Sequence, residues 1–483
     1  MGIVKLRKAQ PYNLKINDMG LKIRIGKLIL GCGGGVGIAA PSGLDLLFDN
    51  IANANIMIGG SSSNVSDWNT FFDLPVKGTP FTSVTVTGNK VTLFGGSGIT
   101  FRDYVFGDNV PTEDCLLEVV DNVGCIIACE DGVFSDCNTG FGCYGITKIH
   151  LSACVTLGKE VFADCLVLVD LNLPLTSYTA LGDYCFQNCA ELINLNFSSL
   201  ISAGDGCFSN CSGLVSPDFS ALTSAGDNCF YGCTGLVSPD FSALTSAGDN
   251  CFSICSGLVS PDFSALTSAG NGCFSICSGL VSPDFSALTS AGDGCFLGCT
   301  GLVSPDFSAL TSAADYCFSS CSGLVSPDFS ALTSAGVNCF YGCSGLISPD
   351  FSALTSAADG CFSSCSGLTN PDFSSLISPG TDATSMFQNC SNLKRSFAAF
   401  DITAITNFTA FLDGCDINAA GTATNYDATL VSWGAQAAQN NINISFGTSK
   451  YTGGSAAATA RAHLVLAVGS GGHEWTITDG GTL

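Results

Sequence analysis

Between about Gly213 and Asp372 the apolar residues recur every 22 positions. Counting from Cys211, Leu214, Pro217 and Phe219 follow at offsets of three, six and eight, and the last two alternate with polar Ser216 and Asp218. That alternation predicts a short strand with the three apolar side chains turned inward. Ser220 to Gly226 reads as a turn-rich return. In CFSNC, Cys207, Phe208 and Cys211 stand at i, i+1 and i+4, which predicts one short helical or 3₁₀ segment with an inward sector. The first cysteine of this motif falls at Cys207, Cys229, Cys251, Cys273, Cys295, Cys317, Cys339 and Cys361, always 22 residues apart. A fixed period with apolar positions in register means a solenoid, because no single repeat can bury its own face. The expected fold is an α/β repeat solenoid. It has a parallel sheet on one face, strands about 4.8 Å apart, and short helices or 3₁₀ turns on the other.

The flanks divide the rest of the chain. Residues 1–43 form a basic and then glycine-rich arm, whose glycines do not fit a dinucleotide-binding fingerprint and read as a connector. Residues 44–114 form a small β-rich module, with a hairpin expected in VTVTGNKVTLF around Gly88-Asn89. Its Trp68, Phe71 and Phe72 are expected in a core. The solenoid spans 115–415. It opens with degenerate coils at GVFSDC and EVFADC, where Ile146, Ile149 and Leu151, then Leu168, Leu171 and Leu173, keep the three, six, eight spacing. It ends with steps of 25 at Cys390 and Cys415. Residues 416–483 read helix, strand, helix, strand, a cap for the open end.

The combination of LxxLxL with AxxGDNCFxxC resembles the leucine-rich repeat of the BspA-like bacterial surface-antigen family, roughly LxxIxIPxxLTSIGxxAFxxC. The resemblance covers about Leu117 to Cys415. It implies a leucine-rich-repeat solenoid that binds rather than catalyses. The chain departs from a plain strand pattern at Pro217 and its equivalents, since proline lacks an N–H and gives up one ladder hydrogen bond per coil. DWNTFFDLP…TPFTSVTVTGN resembles segments of bacteriophage virion proteins that carry the same repeats. SMFQNCSNL resembles the longer repeat variant of the family.

The chain has 483 residues and a net charge of −24, and no Lys or Arg occurs between Lys159 and Lys394. Such a surface repels nucleic acid and anionic membranes. No stretch is long enough to span a bilayer, and the scattered basic residues of the start do not fit a secretory signal. The 28 cysteines at inward repeat positions are expected as buried, reduced thiols behaving as small apolar groups. Disulfides between rungs and zinc at paired CxxxC motifs are the alternatives.

His150, His463 and His473 are the only histidines. None lies in a metalloprotease motif or beside a nucleophile, and His150 is expected solvated on the strand face. No enzyme is expected; a carbohydrate-active enzyme is the remote alternative. Two faces are candidates for binding. The strand face carries Asp218, Asp240, Asp262, Asp284, Asp306, Asp328, Asp350 and Asp372 in one row. The other face carries the varied residues inside CFxxC, among them Tyr231, Ile254, Ile276, Leu297 and Tyr341. At roughly 5 Å between rungs the carboxylates repel, and relief is expected from raised pKa values, from monovalent screening or from weakly bridging Ca²⁺. No other cofactor is expected.

These readings lead to a non-enzymatic structural and recognition protein. The first form is a bacteriophage tail or fibre protein, located on the virion and held to other virion proteins through its N-terminal region. Its partner would be a host-surface glycan or protein. The alternative is a bacterial cell-surface adhesin of the same fold. Homo-oligomers are compatible with both.

Overall fold

The computed structural model describes the strands Lys27–Leu30, Leu44–Leu47, Ser83–Thr87, Lys90–Phe94, Ile99–Phe101 and Glu118–Asp121, and residues 126–135 and 147–483 except Asn194 and Pro379. The connector glycines and DWNTFFDLP lie outside the described residues. The expected hairpin is present: Ser83–Thr87 pairs antiparallel with Lys90–Phe94. It belongs to a sheet of seven strands. That sheet continues through Leu44–Leu47 and Lys27–Leu30 to Glu118–Asp121, Lys148–Leu151 and Asp170–Asn172, and the last three are parallel.

From there the chain winds as a parallel-sheet solenoid of about ten turns with few helices. Its continuous sheet is not where the sequence places it. Nine two-residue strands, from Ala180–Leu181 and Ser202–Ala203 to Ser356–Ala357, pair in order, and from Ser202–Ala203 onward each Ser lies on the next Ser and each Ala on the next Ala. They lie in the stretch expected to be a plain return. The expected strand at Leu214–Phe219 shrinks to single bridges, Asn196↔Asp218, Asp218↔Asp240 and onward to Asp306↔Asp328, then Asp350↔Asp372. Proline is the physical reason. At offset six the early coils carry Ile149 and Leu171, whose amides can join a ladder, and there strands of four and three residues form. The central coils carry proline and cannot extend the bridge.

The CFxxC side is a run of hydrogen-bonded turns rather than a helix. Tyr231 N–H donates to Asn228 O at 3.1 Å, and Cys233 N–H to Phe230 O at 3.1 Å. The coils are tied here as well: the amides of Asn228, Phe230 and Gly232 donate to Asp249 O, Cys251 O and Ser253 O of the next coil at 2.8–2.9 Å.

The interior matches the sequence expectation. Leu214, Phe219, Cys207, Phe208 and Cys211 are fully buried, as are their equivalents in the following coils. The two phenylalanines of each coil build two ladders. Phe252 stacks on Phe230 and Phe274 at 5.2 and 5.3 Å, and meets Phe241 and Phe263 edge-on at 5.0 and 5.3 Å. Offset and edge-on pairs of this kind add to the area term of burial.

The C-terminal part has the expected order: α1 (Thr424–Trp433), a strand at Asn443–Ser445, α2 (Ala456–Val465) and a strand at Thr476–Thr478 that pairs parallel with the first. Ser455 caps α2, its hydroxyl accepting from the amides of Ala457 and Ala458. Trp433 of α1 is buried, stacks on Phe408 and donates its indole N–H to Phe397 O at 2.9 Å. The strand at Asn443–Ser445 meets the last coil through the bridge Phe408↔Ile444. No described helix is long and apolar enough to cross a membrane.

Candidate binding face

The Asp row is formed as expected, one carboxylate per coil at the bridge position. Each carboxylate closes its own turn. The Oδ1 of Asp218 accepts the Ser220 amide at 3.1 Å, and Asp240, Asp262, Asp284, Asp306, Asp328, Asp350 and Asp372 accept the amide two residues on at 2.8–3.0 Å. At two members of the row, Asp240 and Asp350, the shift runs opposite to the expected rise. The hydroxyl and amide of Ser242 hold Asp240 below the ordinary carboxylate range, and Ser352 does the same for Asp350. Hydrogen bonds to the charged form outweigh the neighbouring charges at this exposed edge. Among the described residues no three His, Cys, Asp or Glu side chains gather as a metal site.

Beside this row runs an apolar stripe that sequence reasoning did not single out. Val215, Val237, Val259, Val281, Val303 and Ile347 stand 39–46% exposed, one per coil. Their amides form a ladder of their own, Val237 N–H to Val215 O at 3.0 Å and Val259 N–H to Val237 O at 3.1 Å. Valine at offset four was visible in the repeat, but its amide ladder needs the register of neighbouring coils.

The varied CFxxC residues are less free than drift would make them. Tyr231 and Ile254 are half-buried, and Ile276, Leu297 and Tyr341 are exposed. The second residue inside each motif has a left-handed backbone: Asn210, Gly232, Ile254, Ile276, Gly298, Ser320, Gly342 and Ser364 have φ from 58° to 71°. Wherever Tyr or Leu fills the first place, glycine fills the second, as at Tyr231-Gly232, Leu297-Gly298 and Tyr341-Gly342. Ile254 and Ile276 are β-branched residues at φ 64° and 60°, a conformation that costs about 1–2 kcal/mol.

A second acidic row was missed. In the GDN segment, Asp205 Oδ1 accepts the Asp227 amide at 2.9 Å and Asp227 Oδ1 the Asp249 amide at 2.8 Å. The series continues to Val337, whose amide bonds Asp315 at 2.7 Å. This row is structural. It crowds an adjacent glycine, because a Cβ on Gly248 would lie 2.4 Å from Asp227 Oδ1. Alanine stands in that place at Ala314, against Asp293, and at Ala358, against Val337, so the carboxylate does not by itself require the glycine.

The described cysteines are all free and buried. They are not merely small apolar fillers. The second thiol of each motif donates to the phenylalanine carbonyl of the preceding coil, as Cys233 to Phe208 O at 3.0 Å and Cys255 to Phe230 O at 3.0 Å. Burial pushes these thiols up, Cys211 and Cys277 to about 12, so they keep the proton they donate. His150 is half-buried and paired rather than simply solvated. Its Nε2 lies 2.6 Å from Asp170 Oδ1, and the same carboxylate meets Lys148 Nζ.

The comparisons with known proteins agree with this geometry. The BspA type Leucine rich repeat region matches in six copies over residues 133–259, 219–325 and 292–419, together more than half of the chain. Among solved structures, a leucine-rich repeat protein from Bacteroides ovatus is 20% identical, with 60% of this chain and 79% of that one covered, at a TM-score of 0.44. A leucine rich cell surface protein from Faecalibacterium prausnitzii is 21% identical, covering 60% and 85%, at 0.36. A leucine-rich repeat protein from Eubacterium ventriosum is 21% identical, covering 64% and 85%, at 0.40. No curated protein matches. With its repeat period, its two phenylalanine ladders and the matched segments together, the chain belongs to the BspA-type leucine-rich repeat family.

Proposed function

We propose that this protein is a non-enzymatic recognition protein displayed on a surface, where the Asp, Ser and Val side of the solenoid meets a glycan or protein. One observation carries the reading: exposed Asp carboxylates, each already satisfied by its own turn, and a half-exposed Val stripe repeat coil after coil along one side, while the larger ladders lie inside or on the other sides. Solenoids use extended faces of this kind for binding. The surface is that of a bacteriophage particle or of a bacterial cell. The DWNTFFDLP wording supports the virion, with the N-terminal region attached to other virion proteins; membership in a surface-antigen family supports the cell envelope. Proteomics of purified particles and of envelope fractions separates the two locations. Labelled full-length protein tests the recognition itself. It should be retained on intact bacterial cells, and retention should drop at least tenfold with Asp240, Asp262 and Asp284 changed to Asn while the melting midpoint stays put. Retention by no cell type, or retention indifferent to the triple variant, contradicts the reading.

A further inference from the structure

The Asp row ends at Asp372, and there the surface changes sign. After 234 residues without a cation, Lys394 and Arg395 follow one another. They line an open cleft of about 500 Å³ together with Asn370, Asp372, Ser374 and Asn425.

Arg395 is placed unlike a structural arginine. Its guanidinium lies over Phe373 and Phe397, 4.9 and 5.4 Å from the ring centroids. Its Nη1 donates to Pro371 O at 3.0 Å and its Nε to Ser396 O at 3.4 Å, both neutral acceptors. Among the described residues no carboxylate oxygen comes within 4.0 Å of it, and burial lowers its pKa against the opposing pull of Asp372. Arg461 shows the contrast, with Asp479 Oδ2 at 2.7 Å from its Nε. A half-buried cation given only carbonyls and rings is under-compensated, and a bidentate carboxylate from outside would repay it. Lys394 adds a second charge beside it, partly held by Asp416, whose backbone O accepts from it and whose Oδ2 lies 4.0 Å away.

The rest of the lining selects among anions. Asp372 uses Oδ1 for the Ser374 amide at 2.9 Å, which leaves Oδ2 to accept from hydroxyls. A carboxylate in the lining disfavours a dianion such as phosphate. Asn370 is exposed, and Asn425 donates to Ile417 O at 2.7 Å through its Nδ2, keeping its amide oxygen as an acceptor. Short amide, hydroxyl and carboxylate groups around one guanidinium match a ligand with one carboxylate and several hydroxyls.

We propose that this cleft binds an acidic sugar residue, with Arg395 meeting its carboxylate and Asn370 and Asp372 its hydroxyls. The proposal rests on the surface-recognition reading and names the ligand class at one end of that face.

The test uses the full chain, titrated with D-glucuronate, D-glucose, acetate and glycylglycine by ligand-observed NMR. Glucuronate should bind at least tenfold more tightly than each of the others, and more weakly as salt rises. Arg395→Lys, which keeps the charge and loses the fork, should weaken it about tenfold. Asn370→Ala, at an exposed position, should weaken it with an unchanged melting midpoint. Equal binding of glucuronate and glucose, or of glucuronate and acetate, overturns the proposal. So does tighter binding of glycylglycine, which would make the site a peptide-terminus site, or an affinity indifferent to Asn370→Ala. Failure of the broader reading looks different, because intact cells would then retain neither the parent nor the Asn370→Ala protein.

Discussion

The early coils and the central coils answer one packing problem with different ladders. Around Lys148–Leu151 and Asp170–Asn172 the strand side carries real strands, and Ile149 and Leu171 occupy the inward place at offset six. From Pro217 onward the same place is proline, the strand side falls back to single bridges, and the nine-stranded Ser–Ala sheet holds the coils. The loss on one side is offset by two others: the turn amides of the CFxxC side and the thiols that reach the preceding phenylalanine carbonyl. The lesson is that a residue without an N–H thins the strand side to single bridges and the Val amides, while the return-side sheet, already present in the early coils at Ile126–Cys129 and Thr156–Leu157, runs on through the central ones.

The largest test of this difference is a phenylalanine deletion. Phe252 has ring neighbours in both ladders, whereas Phe162 has two stacked neighbours, Phe134 and Phe186, at 5.6 and 5.0 Å. Phe252→Ala should lower stability by about 4 kcal/mol, and Phe162→Ala by measurably less, in denaturant unfolding read coil by coil. Equal losses would mean that the second ladder adds nothing.

The thiols give a smaller effect. Cys255→Ala removes a donor and leaves Phe230 O with fewer partners, and should cost about 1 kcal/mol more than Cys251→Ala. Chemical denaturation under reducing conditions measures the difference. Smallest, and of opposite sign, is Ile276→Asn. Asparagine tolerates the left-handed backbone that isoleucine strains, so the melting midpoint should rise by the equivalent of about 1 kcal/mol.

Much of this was legible in the sequence. Leu214, Phe219, Phe208 and both cysteines of the motif are inward as their spacing required, and the C-terminal order of helix, strand, helix, strand is as its pattern required. What was not legible depends on register between coils. Pro217 was visible, but that the Ser224–Ala225 side carries the sheet past it follows only when each coil sits on the next. The thiol donors, the Asp205 row and the valine ladder each need a partner 22 to 25 residues away, and a linear pattern names no partner. The left-handed place of Ile254 and Ile276 was hidden because isoleucine is the residue least expected there. The cleft at Arg395 joins the last coils to the start of α1, so no single motif spells it.

The central claim is that in the central coils the Ser–Ala and CFxxC sides carry the larger ladders, the strand side keeps only the Val amides and single bridges, and the Asp carboxylates are left to face a ligand. Amide hydrogen exchange on the intact protein tests it most directly. The amides of Gly248 and Gly270, bonded to Ala225 O and Ala247 O at 3.0 Å, and of Phe230 and Phe252 should exchange only through global unfolding. Those of Ser242 and Ser264, bonded only to their own exposed Asp240 and Asp262 carboxylates, should exchange orders of magnitude faster. Protection at Ser242 and Ser264 equal to that at Gly248 would show that the Asp carboxylates and their turns are themselves part of the structural ladder, and would contradict the account.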